Sequence, residues 1–379
     1  MLLLLAALFP VAVAAAEPLS AAAQQEIERL VSQEMSRQGI PGLSVAVGVG
    51  GEAAWSAGYG FSDMENFVPA KALTQYRTGS IAKPVTAVAV MQMVEAGKMD
   101  LDAPVHRYVP AFPRKQWPIT IRQLLGHLGG IRHYSSAEET NSTHHFRDTA
   151  GGMRLFLNDP LVAEPGTKYN YTTYGYVLLG AALEQAAGIR YMEAIRQRIL
   201  IPAGMDHTRD DHVFALIPNR SRGYVLTANG LQNCSLADTS NKIPGGGLIS
   251  TAEDLVRFGL GVRSAALLKQ SSVDLMFTPL RTRDGKSTGY GLGWGVANLD
   301  GRKVVRHAGG QQGVSTMLSM LPRENLVVAI MTNLEKAQLT DLSQNVLRSL
   351  TGARAQQPVR TVPAARKAAL TPGRARPIL

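Results

Sequence analysis

Thr78-Gly79-Ser80-Ile81-Ala82-Lys83-Pro84-Val85-Thr86-Ala87-Val88-Ala89-Val90-Met91-Gln92-Met93-Val94-Glu95-Ala96 holds the one place in this 379-residue chain where a serine precedes a lysine by three residues and opens an almost wholly apolar segment. From Ile81 to Ala96 the apolar residues keep to no single face, which predicts a helix buried on most sides. A lysine is not there for packing. An ammonium group in such surroundings must be paired, or must lose its proton readily, because desolvation disfavours the charged form. The spacing puts Ser80 and Lys83 on one helical face, where the amine can help remove the hydroxyl proton during attack. Thr78-Gly79-Ser80 fits a helix start carrying a nucleophile on a tight turn, and Pro84 is tolerated in the first turn. N–H groups at a helix start have no intrahelical partner and can stabilise an oxyanion. A lone S-x-x-K also arises by chance on capped surface helices, so its meaning depends on distant partners.

Composition limits what those partners can be. With 45% hydrophobic residues the chain can bury a large core, as one big domain or as two interleaved lobes. Residues 1–16 are an apolar run ending Ala14-Ala15-Ala16 before Glu17 and Pro18, which reads as a secretory signal peptide lacking the usual positive start. The run is short for a membrane span, which needs about 20 residues. Cys234 is the only cysteine, so an internal disulfide and a cysteine-based metal site are excluded. The expected location is secreted or periplasmic. The net charge of +10 owes six charges to Arg354, Arg360, Arg366, Lys367, Arg374 and Arg376, with no acid among residues 353–379. Four prolines in that stretch predict a disordered basic tail, with at most weak contact to an anionic membrane or envelope polymer. No aromatic interleaving or motif points to nucleic acid.

Residues 20–37 read as an amphipathic helix, followed by strands at Leu43–Val49 and Ala53–Tyr59 joined across Gly50-Gly51. Helical patches follow at Ile121–Leu128, Met153–Leu157, Tyr176–Ala187 and Tyr191–Leu200. Strands return at Tyr290–Ala297, Lys303–His307, Val314–Leu321 and Leu326–Met331, and Gln338–Leu350 closes as a helix. This order predicts an α+β fold: an antiparallel sheet flanked by terminal helices, with a mainly helical lobe inserted. The sheet lobe is expected over about 17–80 and 285–352, and the helical lobe over about 81–284. A pocket between them is the default place for chemistry.

Beyond Ser80-x-x-Lys83, the chain carries ITIRQLLGHLGGIRHY at 119–134, PGTKYNYTTYGYVLLG at 165–180, GGGLISTAEDL at 245–255, GYGLGWG at 289–295 and HAGG at 307–310. In order and spacing these resemble serine β-lactamase and penicillin-binding-protein type hydrolases, in the branch of class C lactamases and related esterases and peptidases. The likeness covers residues 20–350, and IRHY and YTT resemble the mitochondrial lactamase-like serine protease and its bacterial relatives. It implies a DD-peptidase-type fold, no cofactor, and a small-molecule or peptide substrate.

The family's second motif, tyrosine-x-asparagine, falls by the Pro165-Gly166 register on Tyr171-Thr172-Thr173. Tyr171 matches and Thr173 departs. In a run with Tyr169, Tyr174 and Tyr176 a tyrosine otherwise suggests core packing. In the family role, a phenol beside two cations has a lowered pKa and serves as base for Ser80 or acid for the leaving group. Threonine shortens the side chain, which weakens contacts to a substrate amide and argues against efficient β-lactam hydrolysis. The third motif, lysine-threonine-glycine, corresponds to His307-Ala308-Gly309, followed by Gly310. Histidine there would make substrate binding change between about pH 5.5 and 7.5. The resemblance gives Thr173, His307, Gly309 and Gly310 to substrate binding. It gives the N–H groups of Ser80 and Gly310 to an oxyanion hole, where each donor contributes about 2.7–4 kcal/mol.

Other patterns carry less. Gly42-Leu43-Ser44-Val45-Ala46 imitates a nucleophile elbow but lies in a strand with no helix after it, so Ser44 reads as structural. His144-His145, Asp206-His207 and Asp211-His212 lack zinc-motif spacing and read as solvated loop residues. Gly245-Gly246-Gly247 lacks the lysine of a phosphate loop and suits backbone approach to an active-site wall. The expected activity is acyl-enzyme hydrolysis at Ser80, with Lys83 and Tyr171 moving protons, on peptide, D-amino-acid peptide, ester or β-lactam bonds. A carboxylesterase, or a catalytically silent binding or filament-forming relative, is the alternative.

Overall fold

The computed structural model describes residues 19–264 and 266–355. The leader expected over 1–16 lies outside the described residues, as does the basic tail beyond Ala355. After the helix Ala21–Gln38 the strands begin with β1 (Gly42–Val49) and β2 (Glu52–Asp63), turned at Gly50-Gly51, and β3 (Val68–Pro69). The middle holds only short strands: β4 (Tyr76–Arg77), β5 (Arg209–Asp210), the hairpin β6 (Tyr224–Thr227) and β7 (Gly230–Asn233), and β8 (Leu248–Ser250). The end supplies β9 (Gly295–Leu299), β10 (Arg302–Gln311), β11 (Val314–Leu321) and β12 (Leu326–Thr332).

Seven strands form one antiparallel sheet in the order β3-β2-β1-β12-β11-β10-β9. At its centre β1 pairs with β12, strands from opposite ends of the chain, with Leu43 opposite Thr332 and Val49 opposite Leu326. Alternation of side chains explains why β12 is apolar throughout. Leu326, Val328 and Ile330 belong to one core cluster while Val327, Ala329 and Met331 belong to the other. The first cluster lies under the terminal helices Ala21–Gln38 and Thr340–Ala355, which contribute Ile27, Val31, Val346 and Leu347. The second holds helix Ala252–Arg263 and the helices Ala82–Glu95 and Thr173–Ala187.

The helix Ala82–Glu95 is buried without interruption from Ala82 to Met91, as its unfaced apolar pattern predicts, and a 3₁₀ turn at Gly79–Ile81 leads into it. Other expectations shift. The helix expected at Met153–Leu157 runs instead over Thr149–Met153, because Asp148 accepts a hydrogen bond from the Gly151 N–H and caps it there. The strand expected from Tyr290 begins only at Gly295, since Gly289 and Gly293 adopt positive φ and turn the chain first. The stretch Tyr191–Leu200 splits into an α-helix to Ile195 and a wider π turn over Arg196–Leu200. The closing helix reaches Ala355, entering the stretch expected to be disordered tail.

A three-stranded sheet, too short to leave a sequence pattern, positions the site. β8 lies between β4 and β5, with Tyr76 opposite Ser250, and the Thr78 N–H donates to the Leu248 carbonyl at 2.8 Å. This clamps the turn before Ser80 beside the glycines that precede β8. Among the described residues no helix is long and apolar enough to cross a membrane.

Ile27 and Leu347 are fully buried between a terminal helix and the sheet. Ile27→Ala and Leu347→Ala are each expected to lower unfolding free energy by about 2–4 kcal/mol in urea titrations, with an unchanged m-value.

Candidate active site

Gly79 has φ of 51°, and a Cβ added to it would meet the Gly310 nitrogen at 2.7 Å. A methyl on Gly309 would collide with the Thr78 carbonyl and the Thr316 hydroxyl. The Thr316 hydroxyl itself donates to the Thr78 carbonyl at 2.8 Å. Backbone thus packs on backbone, bringing β10 against the start of the Ser80 turn with room for glycine alone. Ser80 stays partly exposed at this junction. Beyond Arg306, paired with Gly295, β9 no longer accompanies β10, so His307–Gln311 keep β11 alone as strand neighbour.

Lys83 is 0% exposed, and its amine has three partners: the Ser80 Oγ at 3.0 Å, the Thr173 Oγ1 at 3.1 Å and the Gly245 carbonyl at 2.7 Å. No carboxylate is among them. Burial drives the Lys83 pKa well below the usual lysine value, and the charge of Lys242 pushes it further down. A neutral amine has two N–H donors and one lone pair. The carbonyl of Gly245 can only accept, so it takes one N–H; the other goes to Thr173, and the lone pair receives the Ser80 proton. Protonation changes only the direction of the Ser80 bond. The geometry therefore suits both states of a proton-shuttling amine.

The half-buried Tyr171 presents its ring to the Lys83 amine, 4.8 Å from the centroid, and its hydroxyl interacts with Ser80. The expected lowering of its pKa is not found. Burial raises the phenol pKa, and the Ser80 hydroxyl offsets only part of the rise. Tyr171 holds its proton and is a donor, not a resting base.

Thr173 opens the helix Thr173–Ala187, capped by Thr172, and is buried. Its hydroxyl serves Lys83 and reaches Tyr134, so it is spent on the side chains around Ser80. His307 is likewise buried. Its Nδ1 lies 2.7 Å from the Ala308 carbonyl, an obligate acceptor, so Nδ1 carries the proton and Nε2 accepts from the Tyr290 hydroxyl at 2.8 Å. Burial, reinforced by Lys83, lowers its pKa to about 3. The charge change expected between about pH 5.5 and 7.5 is therefore corrected: His307 stays neutral throughout that range.

Several members of the site escaped the sequence. The Gly245 carbonyl reaches Lys83 through the β8 pairing, which no local pattern announces. Lys242, 3% exposed, donates to the Thr140 carbonyl at 2.7 Å and lies 5.0 Å over the Tyr134 ring; burial first, then Arg77, lowers its pKa to about 8. His133 receives the Thr173 N–H at 3.3 Å, and burial followed by Lys83 lowers its pKa to about 4. His127 is fully buried, and its Nδ1 accepts the Thr172 N–H at 3.1 Å. Both histidines sat in ITIRQLLGHLGGIRHY, where a histidine inside an apolar segment was the available signal.

The remaining patterns divide. Ser44 is buried and donates to the Lys71 carbonyl at 2.8 Å, a structural placement. His144, Asp206 and His207 are exposed, but His145, Asp211 and His212 are not the solvated loop residues expected. His145 pairs with Asp238 at 2.8 Å and packs on His212, and Asp211 binds Arg77, because the chain folds back between these loops. Among the described residues no group of three or more His, Cys, Asp or Glu is arranged to hold a metal ion.

The family model described as Beta-lactamase matches residues 27–352. The chain belongs to the Beta-lactamase family. It is 30% identical to the serine beta-lactamase-like protein LACTB, mitochondrial, of Bos taurus, over 81% of this chain and 76% of that protein. Among solved structures it is similar to the octameric penicillin-binding protein homologue from Pyrococcus abyssi, with a TM-score of 0.75 and 26% identity over 87% of this chain and 77% of the other. The D-amino acid amidase from Ochrobactrum anthropi SV3 shares the fold at a TM-score of 0.76 and 21% identity, over 87% of this chain and all but 1% of the other, which is covered to 99%. As a serine β-lactamase and penicillin-binding-protein-like protein, the chain is a serine hydrolase with the α+β architecture of that family.

His133 and His307 are held neutral, whereas in the unfolded chain each binds a proton near its ordinary value of 6.5. The unfolded state then carries more protons, so stability falls as pH drops from 6.5 toward about 4 and 3. Thermal midpoints measured across this window are expected to decline, and His307→Asn to decline less steeply.

Proposed function

We propose that the chain hydrolyses amide or ester bonds through an acyl-enzyme on Ser80. The observation that carries this is the carboxylate-free bonding of the Lys83 amine to Ser80, Thr173 and Gly245 inside the fold. As the Ser80 oxygen attacks the carbonyl carbon, its proton passes to the Lys83 lone pair, and the N–H groups of Ser80 and Gly310 receive the oxyanion. Tyr171 gives its proton to the leaving nitrogen or oxygen, and the Lys83 ammonium returns one to the phenolate. Water then attacks the acyl carbon with the same groups reversed, freeing the acid product and the serine.

Peptide-like amides and esters, D-amino-acid peptides included, are favoured over β-lactams. The free edge of β10 suits an extended chain, and Thr173 is spent on Lys83 where an amide side chain would reach the substrate. The likeness to a D-amino acid amidase supports the same class. Export also belongs to this proposal, resting on residues 1–16.

A fluorophosphonate probe with mass spectrometry tests it. Labelling is expected on Ser80 and is expected to vanish in Ser80→Ala. Lys83→Met is expected to slow hydrolysis of p-nitrophenyl acetate by about 10²–10⁴-fold. Lys83→Arg is expected to be no better, since a guanidinium does not give up its proton. Undiminished labelling of Ser80→Ala refutes the assignment.

A further inference from the structure

We propose that His127 is the positioning residue of the leaving-group acid, holding Tyr171 in place from both sides of its backbone. The inference rests on the role given to Tyr171 above. The helix Ile121–Leu125 ends with the Leu128 N–H bonded to the Gln123 carbonyl and the His127 N–H to the Leu124 carbonyl. That is a Schellman ending, whose left-handed residue is usually glycine. Here it is His127, at φ of 59°. A side chain that tolerates an unfavourable backbone at a buried helix end is retained for what it touches.

What it touches is the segment carrying Tyr171. The His127 carbonyl accepts the Asn170 N–H at 2.8 Å and its Nδ1 accepts the Thr172 N–H at 3.1 Å, so the residues before and after Tyr171 are tied to one side chain and its own backbone. The ring lies under the Tyr171 ring with centroids 4.3 Å apart, and against Tyr176 and Tyr290 at 5.2 and 4.8 Å. Because the Thr172 N–H can only donate, Nδ1 is bare and the proton sits on Nε2. That Nε2 is buried with no hydrogen-bond partner among the described residues, on a ring packed against Tyr169, Tyr171, Tyr176 and Tyr290. A histidine kept only to fill the helix end needs neither the second tie nor the ring contact.

Two substitutions separate positioning from packing. His127→Gly suits the left-handed backbone and loses both the ring and the Nδ1 acceptor; His127→Asn also tolerates that backbone and keeps a side-chain acceptor. The readout is hydrolysis of p-nitrophenyl acetate, whose leaving group needs little protonation, against ethyl acetate, whose leaving group needs it fully. His127→Gly is expected to cut ethyl acetate turnover by about tenfold or more and p-nitrophenyl acetate by about threefold or less, with His127→Asn in between. In a Tyr171→Phe background the His127 substitutions are expected to change ethyl acetate turnover by less than about twofold, because the positioned group is gone. Equal losses on both esters, or a full and independent loss in Tyr171→Phe, overturn the proposal. If Tyr171→Phe alone leaves ethyl acetate turnover intact, the role of Tyr171 fails instead, and this inference fails with it. Thermal unfolding of each variant confirms that folded protein is compared, and His127→Asn serves alone if the glycine variant does not fold.

Discussion

A primary amine enclosed by the protein with no carboxylate against it is the constraint on which the structure turns. Lys83 is surrounded by a helix buried from Ala82 to Met91, by the helix beginning at Thr173 and by the glycines before β8. A permanent charge there would lose its hydration without an ion pair to replace it, so the fold favours the free amine. The three oxygens around Lys83 match an amine that alternates between two N–H donors and three. Stability carries the mark of this choice: the unfolded chain keeps its lysine proton up to about 10.5, so the cost of burying Lys83 is greatest at low pH, shrinks as pH rises toward 10.5 and vanishes above it.

Burial acts in the same direction on every neighbour. It lowers the histidines His127, His133 and His307 and raises Tyr171, Tyr176 and Tyr290, leaving an uncharged cluster around the serine. In such a medium the backbone N–H groups of Ser80 and Gly310, proposed above as the oxyanion donors, would act on a developing charge with little screening. Lys242, whose ammonium bonds the Thr140 carbonyl, lies over the Tyr134 ring and feels the charge of Asp238, is the nearby cation that pushes the Lys83 pKa further down. The histidine in the third motif thus contributes shape and a hydrogen bond to Tyr290, not charge.

Elements with strong periodicity were legible from sequence: the central strands β1, β11 and β12, both terminal helices, and the Ser80 helix all follow from apolar pattern and length. So was the meeting of Ser80 and Lys83, since helical spacing alone dictates it. Tyr171 needed the family register, because a tyrosine among tyrosines has no local signature. Beyond reach were the contacts made by pairing of two- and three-residue strands, such as Gly245 with Lys83, and the charge states. The sequence tells which groups titrate but not how much water each retains, and that is why His307 reads from sequence as titrating between about pH 5.5 and 7.5 and Tyr171 as a phenol of lowered pKa, where burial moves both away from that.

The most direct test is to observe the ionisation of Lys83 itself. Protein carrying ¹³C-labelled lysine, with Lys83→Met to assign the resonance, reports the amine-to-ammonium transition by NMR as pH is varied. A transition for Lys83 well below that of the exposed lysines is the expected result. A resonance that remains that of an ammonium up to about pH 10 would contradict the account.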